Sequence, residues 1–192
     1  NYNVVSYEPS MQGQIWAPLT VTAIRMESHF ESMFLTNIAV SDKTQFLTFN
    51  DDGSAGSSLV SEKRLNSNEV NYPVLAVDIN KLIASVPEPV NNLIVKLNVE
   101  GAEYCILERL LEEPALVRKI TELWLDFHGA GYSNVDRISY LQREISICKR
   151  LRELGIELYD VNFMDGFYKG WGNHLPVKTK ITDEDLINAY LG

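Results

Sequence analysis

One apolar stretch, Leu93–Leu97, constrains the fold more than any other part of the sequence, because it runs straight into a turn and a helix. A short, nearly uninterrupted apolar run predicts a strand that is covered on both faces. Asn98, Glu100 and Gly101 then bring two polar side chains and a glycine to the strand's carboxyl end. Open α/β sheets bind small ligands just outside such ends. We therefore expect the functional site here, with Glu100 facing solvent, a cation or a ligand, because burying its charge alone is too costly.

Strand and helix patterns alternate along the chain. The predicted strands are 2–7, 34–40, 44–49, 74–79, 93–98, 120–127 and 156–163. The predicted helices are 102–113, 135–154 and 183–191, with a helical turn through 83 and a mixed, partly helical stretch over 11–33. Residues 50–71, rich in Gly, Ser, Asn and Asp, are predicted to be a mobile loop. The alternation predicts an α/β fold with a doubly wound, mostly parallel sheet and helices on both faces.

Length and charge narrow the class of protein. The 192 residues suit one domain, and a second independent domain would be cramped. A net charge of −9 without a polybasic run argues against a nucleic-acid-binding surface. No apolar run approaches the roughly 18 residues of a membrane span, and no signal peptide is visible. The chain enters a strand almost at once, which predicts that upstream sequence is missing; the oligomeric state stays open.

The two cysteines indicate the redox state of the cellular compartment in which the protein resides. Cys105 and Cys148 both fall within predicted helices. Two half-cystines are one interpretation, but unpaired core thiols in a reducing environment fit such positions better. The sequence therefore predicts a cytoplasmic protein.

Glu8 closes the first predicted strand and precedes Pro9. In nucleotide-binding α/β folds an acidic residue at such a strand end accepts hydrogen bonds from both ribose hydroxyls. The alternative is a solvated strand end before a proline turn, which is common. The position indicates a ribose-binding hypothesis and leaves the alternative open.

The turn after the apolar strand carries three polar residues, Asn98, Glu100 and Glu103. A helix start whose glutamates complement the helix dipole explains Glu103 well. It explains Asn98 and Glu100 less well, because they lie at the crevice rather than along the helix. These two are therefore the candidates for ligand contact.

Asp126 and His128 end the next predicted strand, and the period of two puts them on one face. A carboxylate so placed can orient the imidazole, which is a natural general base near neutral pH. A purely structural histidine is the alternative. A metal site is not predicted, because no further ligand follows at tight spacing. The nucleophile elbow and the phosphate loop are absent, which disfavours serine hydrolases and P-loop NTPases.

At these residues the sequence resembles the FkbM family of S-adenosylmethionine-dependent methyltransferases. Four segments occur in family order, namely 5–10 (VSYEPS), 37–43 (NIAVSDK), 95–103 (VKLNVEGAE) and 125–128 (LDFH). They resemble, in turn, the strand whose Glu holds the cofactor ribose, the strand and turn beside the adenine, the lysine-containing signature strand, and an acid-x-His strand end. Together they span roughly residues 4 to 128.

The resemblance implies a Rossmann-like domain that binds S-adenosylmethionine and methylates a hydroxyl of a sugar or other small metabolite. The residues that it implies for cofactor binding are Glu8, Ser41, Asp42, Asn98 and Glu100. It also implies His128, oriented by Asp126, as the base that takes the hydroxyl proton.

Three departures from the family pattern matter. Asn98 stands in place of the usual Asp, and Asp126 in place of the more usual Glu. The Gly-rich first strand and turn that cradle the cofactor's methionine part do not occur in the chain. Either the chain is a fragment, which its abrupt start favours, or its cofactor site is degenerate. Two further hypotheses are a non-catalytic binding or interaction domain of the same fold and a nucleotide-sugar enzyme.

Overall fold

The computed structural model describes residues 3–10, 31–51, 57–59, 70–128, 137–160 and 180–191. The strands are β1 (Asn3–Glu8), β2 (Glu31–Thr36), β3 (Ile38–Ser41), β4 (Gln45–Asp51), β5 (Val70–Asp78), β6 (Leu93–Leu97), β7 (Ile120–Leu125) and β8 (Glu157–Asp160). The helices are α1 (Ile79–Ala84), α2 (Glu103–Leu111), α3 (Pro114–Val117), α4 (Arg137–Glu153) and α5 (Asp183–Leu191). Within these ranges no helix is long and apolar enough to cross a membrane.

The strands of the described ranges form three sheets. β1 and β2 pair in parallel. β5 lies between β3, which is parallel to it, and β4, which is antiparallel. The third sheet has the order β6-β7-β8 and is entirely parallel. The prediction of an α/β chain with mostly parallel strands is therefore confirmed.

Helices cover one face of the β6-β7-β8 sheet. Its strands contribute the buried side chains Leu97, Leu123, Leu125 and Leu158. The five helices contribute Ile79, Ile83, Ile106, Leu107, Leu110, Val117, Ile147, Cys148, Leu151 and Leu186 to the same core. Burying a side chain of this kind stabilises the fold by about 1.5–3 kcal/mol. This core fixes α2 and α4 against the sheet and so sets where the turn after β6 lies.

The second face of this sheet carries Lys96, Trp124 and Tyr159 in register. Ile94, on the same face, is 43% exposed. The prediction that β6 is buried on both faces is therefore wrong, because the described helices all pack on the first face. Helices on both faces, as in a doubly wound sheet, stay a prediction.

The strand predicted over 34–40 is two strands. Asn37 interrupts it with φ 59°, a left-handed conformation that asparagine adopts more readily than most residues. The Asn37 N–H donates to the Glu8 carbonyl oxygen at 3.1 Å. The chain thus leaves the β1-β2 sheet and enters the β3-β5-β4 sheet at this residue. Residues 31–33, predicted to be mixed and partly helical, belong to β2, and 11–30 lie outside the described residues.

Only short pieces of the predicted 50–71 loop belong to the described residues. Its two ends are strand, because β4 continues to Asp51 and β5 begins at Val70. Ser58 lies between these two strands in the sequence. It exchanges backbone hydrogen bonds of 2.9 Å with Asn50 of β4. The Ser58 hydroxyl donates to the Glu100 carbonyl oxygen at 2.6 Å. Residues 57–59 are therefore fastened to the turn after β6.

The buried Glu144 joins three helices. Its Oε1 atom accepts hydrogen bonds from the hydroxyls of Tyr104 on α2 and Tyr190 on α5. Burial raises the pKa of Glu144 above its ordinary value. A buried carboxyl is costly without such partners, so the two phenols make this position on α4 tolerable and hold α5 in place.

Both cysteines are free thiols, as predicted. Cys148 lies in the core, where burial raises the pKa of its thiol to about 12 and makes it unreactive. Cys105 is only half-buried, so it is less a core residue than predicted.

Candidate functional site

The carboxyl ends of β1 and β6 meet at a crevice of about 110 Å³, which we call the β1–β6 crevice. Glu8 enters it from the end of β1, and Asn98 and Glu100 enter it from the segment after β6. The two strands belong to different sheets, β1 with β2 and β6 with β7 and β8, so residues distant in sequence meet where the two sheets come together. The structure thus brings together three of the five residues predicted to bind a cofactor.

The residues that follow β1 fix the position of the Glu8 carboxylate. Its Oε1 atom accepts hydrogen bonds from the Ser10 N–H at 2.8 Å and from the Ser10 hydroxyl at 2.6 Å. Among the described residues no donor contacts its other oxygen, Oε2. A fixed carboxylate with one oxygen left over can accept hydrogen bonds from a ligand's hydroxyl groups.

The turn after β6 is strained. Glu100 has φ 53° and Gly101 has φ 108°. The left-handed conformation costs a residue such as glutamate on the order of 1–2 kcal/mol, whereas glycine adopts it freely. Strain of this kind concentrates at functional sites. In this backbone conformation the Glu100 carboxylate contacts His128 Nε2 at 3.1 Å.

Glu103 holds this turn together from within. It is the first residue of α2, and its side chain is fully buried. Its carboxylate accepts hydrogen bonds from the N–H groups of Val99 at 3.2 Å and Gly101 at 2.8 Å, and it contacts His128 Nδ1 at 2.8 Å. Successive N–H groups at a tight turn form an anion-binding concavity, and here it is filled from inside the chain.

The sequence predicts only a helix-dipole role for Glu103 and gives no contact with His128. One signal was present in the sequence. Gly101, at a strand-to-helix turn, predicts exposed N–H groups, and an acidic residue two positions later is placed to accept from them.

His128 lies among three carboxylates, a group that we call the His128 cluster. Nδ1 is 2.8 Å from Glu103 Oε1, whereas Nε2 is 3.1 Å from Glu100 Oε1 and 3.6 Å from Asp126 Oδ2. The structure therefore brings His128 and Asp126 together, as the sequence predicted. The closer contacts, however, come from Glu103 and Glu100, so these two orient the ring more than Asp126 does.

The protonation of His128 follows from these contacts. Burial alone would lower the pKa of His128, but its hydrogen bonds with Glu100 and Glu103, together with their negative charges, raise it to about 10. The ring is then an imidazolium at neutral pH, whereas a general base must be unprotonated. The resting site does not favour His128 as the base, and that role stays an untested prediction.

With its carboxylates ionised, the His128 cluster carries a net charge of −2, three negative charges against one positive. Such a site attracts cationic groups. A metal-binding arrangement is a separate matter. In the part of the chain that the structure describes, no group of three or more His, Cys, Asp or Glu side chains is placed to hold a metal ion.

Ser41 and Asp42, the remaining predicted cofactor residues, lie at the end of β3. Ser41 is buried and donates to Asp42 Oδ1 at 3.0 Å. Asp42 lines a second cavity of about 420 Å³ together with Cys105 and Arg109. The structure therefore places Asp42 at a different cavity from Glu8, although Val40, the residue before Ser41, lines the β1–β6 crevice.

Comparison with known proteins adds no relative: no family model, no curated protein and no solved structure matches the chain. What the chain does is therefore inferred from its own residues and geometry.

Proposed function

We propose that this chain is an S-adenosylmethionine-dependent methyltransferase domain that transfers a methyl group to a hydroxyl of a sugar or other small metabolite. The observation that carries the proposal is the meeting of Glu8, Asn98 and Glu100 at one crevice outside the carboxyl ends of β1 and β6. This is where α/β folds bind nucleotide-containing ligands. The resemblance of four ordered segments to the FkbM family supports the same cofactor. In this proposal the sheet is Rossmann-like and doubly wound.

The charge of the site supports a cationic cofactor. S-adenosylmethionine carries a sulfonium and an ammonium group, and the His128 cluster offers a net negative charge beside the crevice. Methyl transfer is an in-line displacement at the sulfonium carbon, so catalysis is mainly a matter of positioning.

The proposal gives each predicted residue a role. Glu8 accepts hydrogen bonds from the ribose hydroxyls through Oε2. Asn98 and Glu100 line the space between cofactor and acceptor, and His128 and Asp126 lie at the reacting end of it. Ser41 and Asp42 face the adenine, which has to extend past Val40 to reach them.

Calorimetric titration of S-adenosylhomocysteine tests this proposal. We expect micromolar binding to the 192-residue chain, or to a version that includes any sequence encoded before Asn1. Glu8→Gln should weaken binding about 10- to 100-fold, because a hydrogen bond to a charged group contributes about 1.5–3 kcal/mol. The matched control is Glu153→Gln, an exposed glutamate at the end of α4, which should leave affinity unchanged. Absence of binding to both forms contradicts the proposal.

A second candidate is a non-catalytic binding or interaction domain of the same fold. The size of the β1–β6 crevice favours it, since about 110 Å³ is below the roughly 300–1,000 Å³ of ordinary ligand pockets. This candidate predicts no heat of binding for S-adenosylhomocysteine in either form. A nucleotide-sugar enzyme predicts instead that a sugar nucleoside diphosphate binds, which the same titration can measure.

A further inference from the structure

The antiparallel strands β4 and β5 contact both walls of the β1–β6 crevice, although they belong to a third sheet. The wall that follows β1 includes Pro9, and the wall that follows β6 includes Glu100. Side chains of β4, of β5 and of the segment between them form hydrogen bonds that reach both walls. We call these residues the hairpin clamp: Asp51, Ser57, Ser58 and Tyr72.

Tyr72 connects the hairpin clamp to the β1 wall. Its single hydroxyl hydrogen faces two acceptors, Asp51 Oδ2 at 2.7 Å and the Pro9 carbonyl oxygen at 3.0 Å. The other Asp51 oxygen, Oδ1, accepts from the Ser57 hydroxyl at 3.0 Å. Asp51 is buried, and hydrogen bonds to both of its oxygens fix its position. Because Pro9 directly follows Glu8, this chain of hydrogen bonds helps to set where the Glu8 carboxylate lies.

Ser58 connects the hairpin clamp to the β6 wall. Its hydroxyl donates to the Glu100 carbonyl oxygen at 2.6 Å, and its backbone pairs with Asn50 of β4. The N–H of the same peptide group belongs to Gly101 and donates to Glu103 at 2.8 Å. The peptide between Glu100 and Gly101 is therefore held at both its oxygen and its nitrogen. Ser58 thus helps to maintain the left-handed conformation of Glu100.

The contacts of the hairpin clamp are largely shielded from water. Ser58 is 1% exposed. Phe49 of β4 lines the crevice beside Ser57 and packs on Tyr72, with ring centroids 5.8 Å apart. A hydrogen bond that is lost in such surroundings leaves a partner that water replaces poorly. Changes in the hairpin clamp should therefore alter the positions of the walls.

We propose that the hairpin clamp holds the two walls of the β1–β6 crevice at the separation that the cofactor needs, which makes Tyr72 and Ser58 positioning residues for its binding. This role rests on the function proposed above. Glu8 receives the ribose on one wall, and Glu100 lies near the reacting end on the other. A ligand that contacts both walls depends on their separation, since hydrogen bonds weaken steeply as their geometry departs from the ideal.

Amide hydrogen exchange, followed by NMR, tests the hairpin clamp without any ligand. The Ser10 N–H, which donates to Glu8, reports on the β1 wall, and the Gly101 N–H reports on the β6 wall. Tyr72→Phe should speed exchange at Ser10 about 3- to 10-fold, the effect of one lost hydrogen bond, and should leave Gly101 unchanged. Ser58→Ala should do the reverse.

A third amide controls for unfolding of the whole domain. The N–H of the buried Leu123, in β7, should exchange at the wild-type rate in both variants. Equal acceleration at the two walls in each variant would show a general loss of stability and would overturn the hairpin clamp. Unchanged rates at both walls would overturn it as well.

Calorimetric titration of S-adenosylhomocysteine tests the positioning role. Tyr72→Phe and Ser58→Ala should each weaken binding about 3- to 10-fold. Two matched controls lose comparable hydrogen bonds away from the crevice. Tyr159→Phe loses a bond of 2.7 Å to a carboxylate on β8, and Ser85→Ala loses a bond of 2.7 Å to a backbone carbonyl oxygen. Both controls should keep wild-type affinity, and wild-type affinity in Tyr72→Phe or Ser58→Ala would overturn the role of that residue.

A double-mutant cycle separates positioning from a general effect on stability. Because Tyr72 acts through Glu8, Tyr72→Phe should cost less affinity in a Glu8→Gln background than in the wild-type chain. Additive losses would overturn the positioning role of Tyr72. Failure of the wild-type chain to bind S-adenosylhomocysteine would overturn the proposed function, whereas the exchange rates decide independently whether the hairpin clamp holds the walls.

Discussion

Two cations in this molecule each face three carboxylates, yet the two groups differ in chemistry. The guanidinium of Arg109 contacts Asp78, Glu112 and Glu113 at 3.1, 2.6 and 3.3 Å, a group that we call the Arg109 cluster. The imidazole of His128 contacts Glu103, Glu100 and Asp126 at 2.8, 3.1 and 3.6 Å. The first cation keeps its charge at every accessible pH, whereas the second can lose its proton.

The surroundings of the two clusters differ as well. Glu112 and Glu113 are 64% and 47% exposed, so their pairs with Arg109 are screened by water. The buried Asp78 caps α1 by accepting from the Asn80 N–H at 2.9 Å, and its contact with Arg109 fastens α1 to α2. In the His128 cluster Glu103 is fully buried.

Equal numbers of charged groups therefore do not give the two clusters equal properties. The Arg109 cluster is a fixed fastening between helices. The His128 cluster combines a proton that can leave with a buried anion and a strained turn at Glu100, and it lies beside the β1–β6 crevice. A group with a strongly shifted pKa beside a crevice marks a candidate functional site.

The largest effect should come from Glu103→Ala. The substitution leaves the imidazolium and the N–H groups of Val99 and Gly101 without their buried acceptor, and breaking a buried pair costs about 3–5 kcal/mol. Urea denaturation measures the loss in free energy of unfolding. Glu112→Ala in the Arg109 cluster is the control and should cost far less. Equal losses in the two variants would contradict the distinction between the clusters.

Stability should also depend on pH through His128. Its pKa is about 10 in the folded chain but about 6.5 when unfolded, so its protonation favours the folded state. This stabilisation is complete below about pH 6.5 and is lost as the pH rises toward 10, by an amount on the order of a few kcal/mol. Urea denaturation at pH 6, 8 and 10 measures it. His128→Gln should remove the dependence, and an unchanged slope in that variant would assign it to other groups.

A smaller effect is expected at Asp78. Asp78→Ala removes the cap of α1 and should destabilise the fold by about 1 kcal/mol, whereas Asp78→Asn keeps a capping oxygen and should cost less. Thermal unfolding of both variants checks the order. Neither loss should change between pH 6 and 9, because the cation of this cluster does not titrate there. A pH-dependent loss would make the two clusters alike.

The smallest net effect is expected at Glu100. Glu100→Gly releases about 1 kcal/mol of left-handed strain but loses the contact with His128, so the two contributions nearly cancel. Glu100→Gln keeps the strain and loses the charge, and it should therefore be the less stable of the two. Chemical denaturation compares them. Greater stability of Glu100→Gln would show that the turn is not strained.

Local patterns in the sequence predict much of the fold. The apolar run at Leu93–Leu97 and the alternation of strands and helices depend on near neighbours, and they are found in the structure. The division of 34–40 at Asn37 could not be predicted, because a single left-handed residue leaves the apolar pattern unchanged. The exposure of Ile94 depends on what covers the second face, which the strand's own residues do not encode.

The sequence predicted most residues of the candidate site and the meeting of Asp126 with His128, but not the contacts of Glu103. Strand ends supplied Glu8, Glu100 and His128, because polar residues after apolar runs are visible in the sequence. The contact of Glu103 with His128 joins residues 25 positions apart, and it depends on the register of β6 and β7 and on the turn at Gly101. Neither property can be read from spacing.

The two hydrogen bonds to the Glu144 carboxyl group cannot form at the same time during synthesis of the chain. Its two donors, Tyr104 and Tyr190, lie 40 positions before and 46 positions after it. During translation the first donor is already present when Glu144 emerges, but the second is not. Because distant contacts form late, we expect α4 to dock first with a half-satisfied carboxyl group. We expect the hydrogen bond from Tyr190 to Glu144, and with it the docking of α5, to form only after residue 190 has left the ribosome.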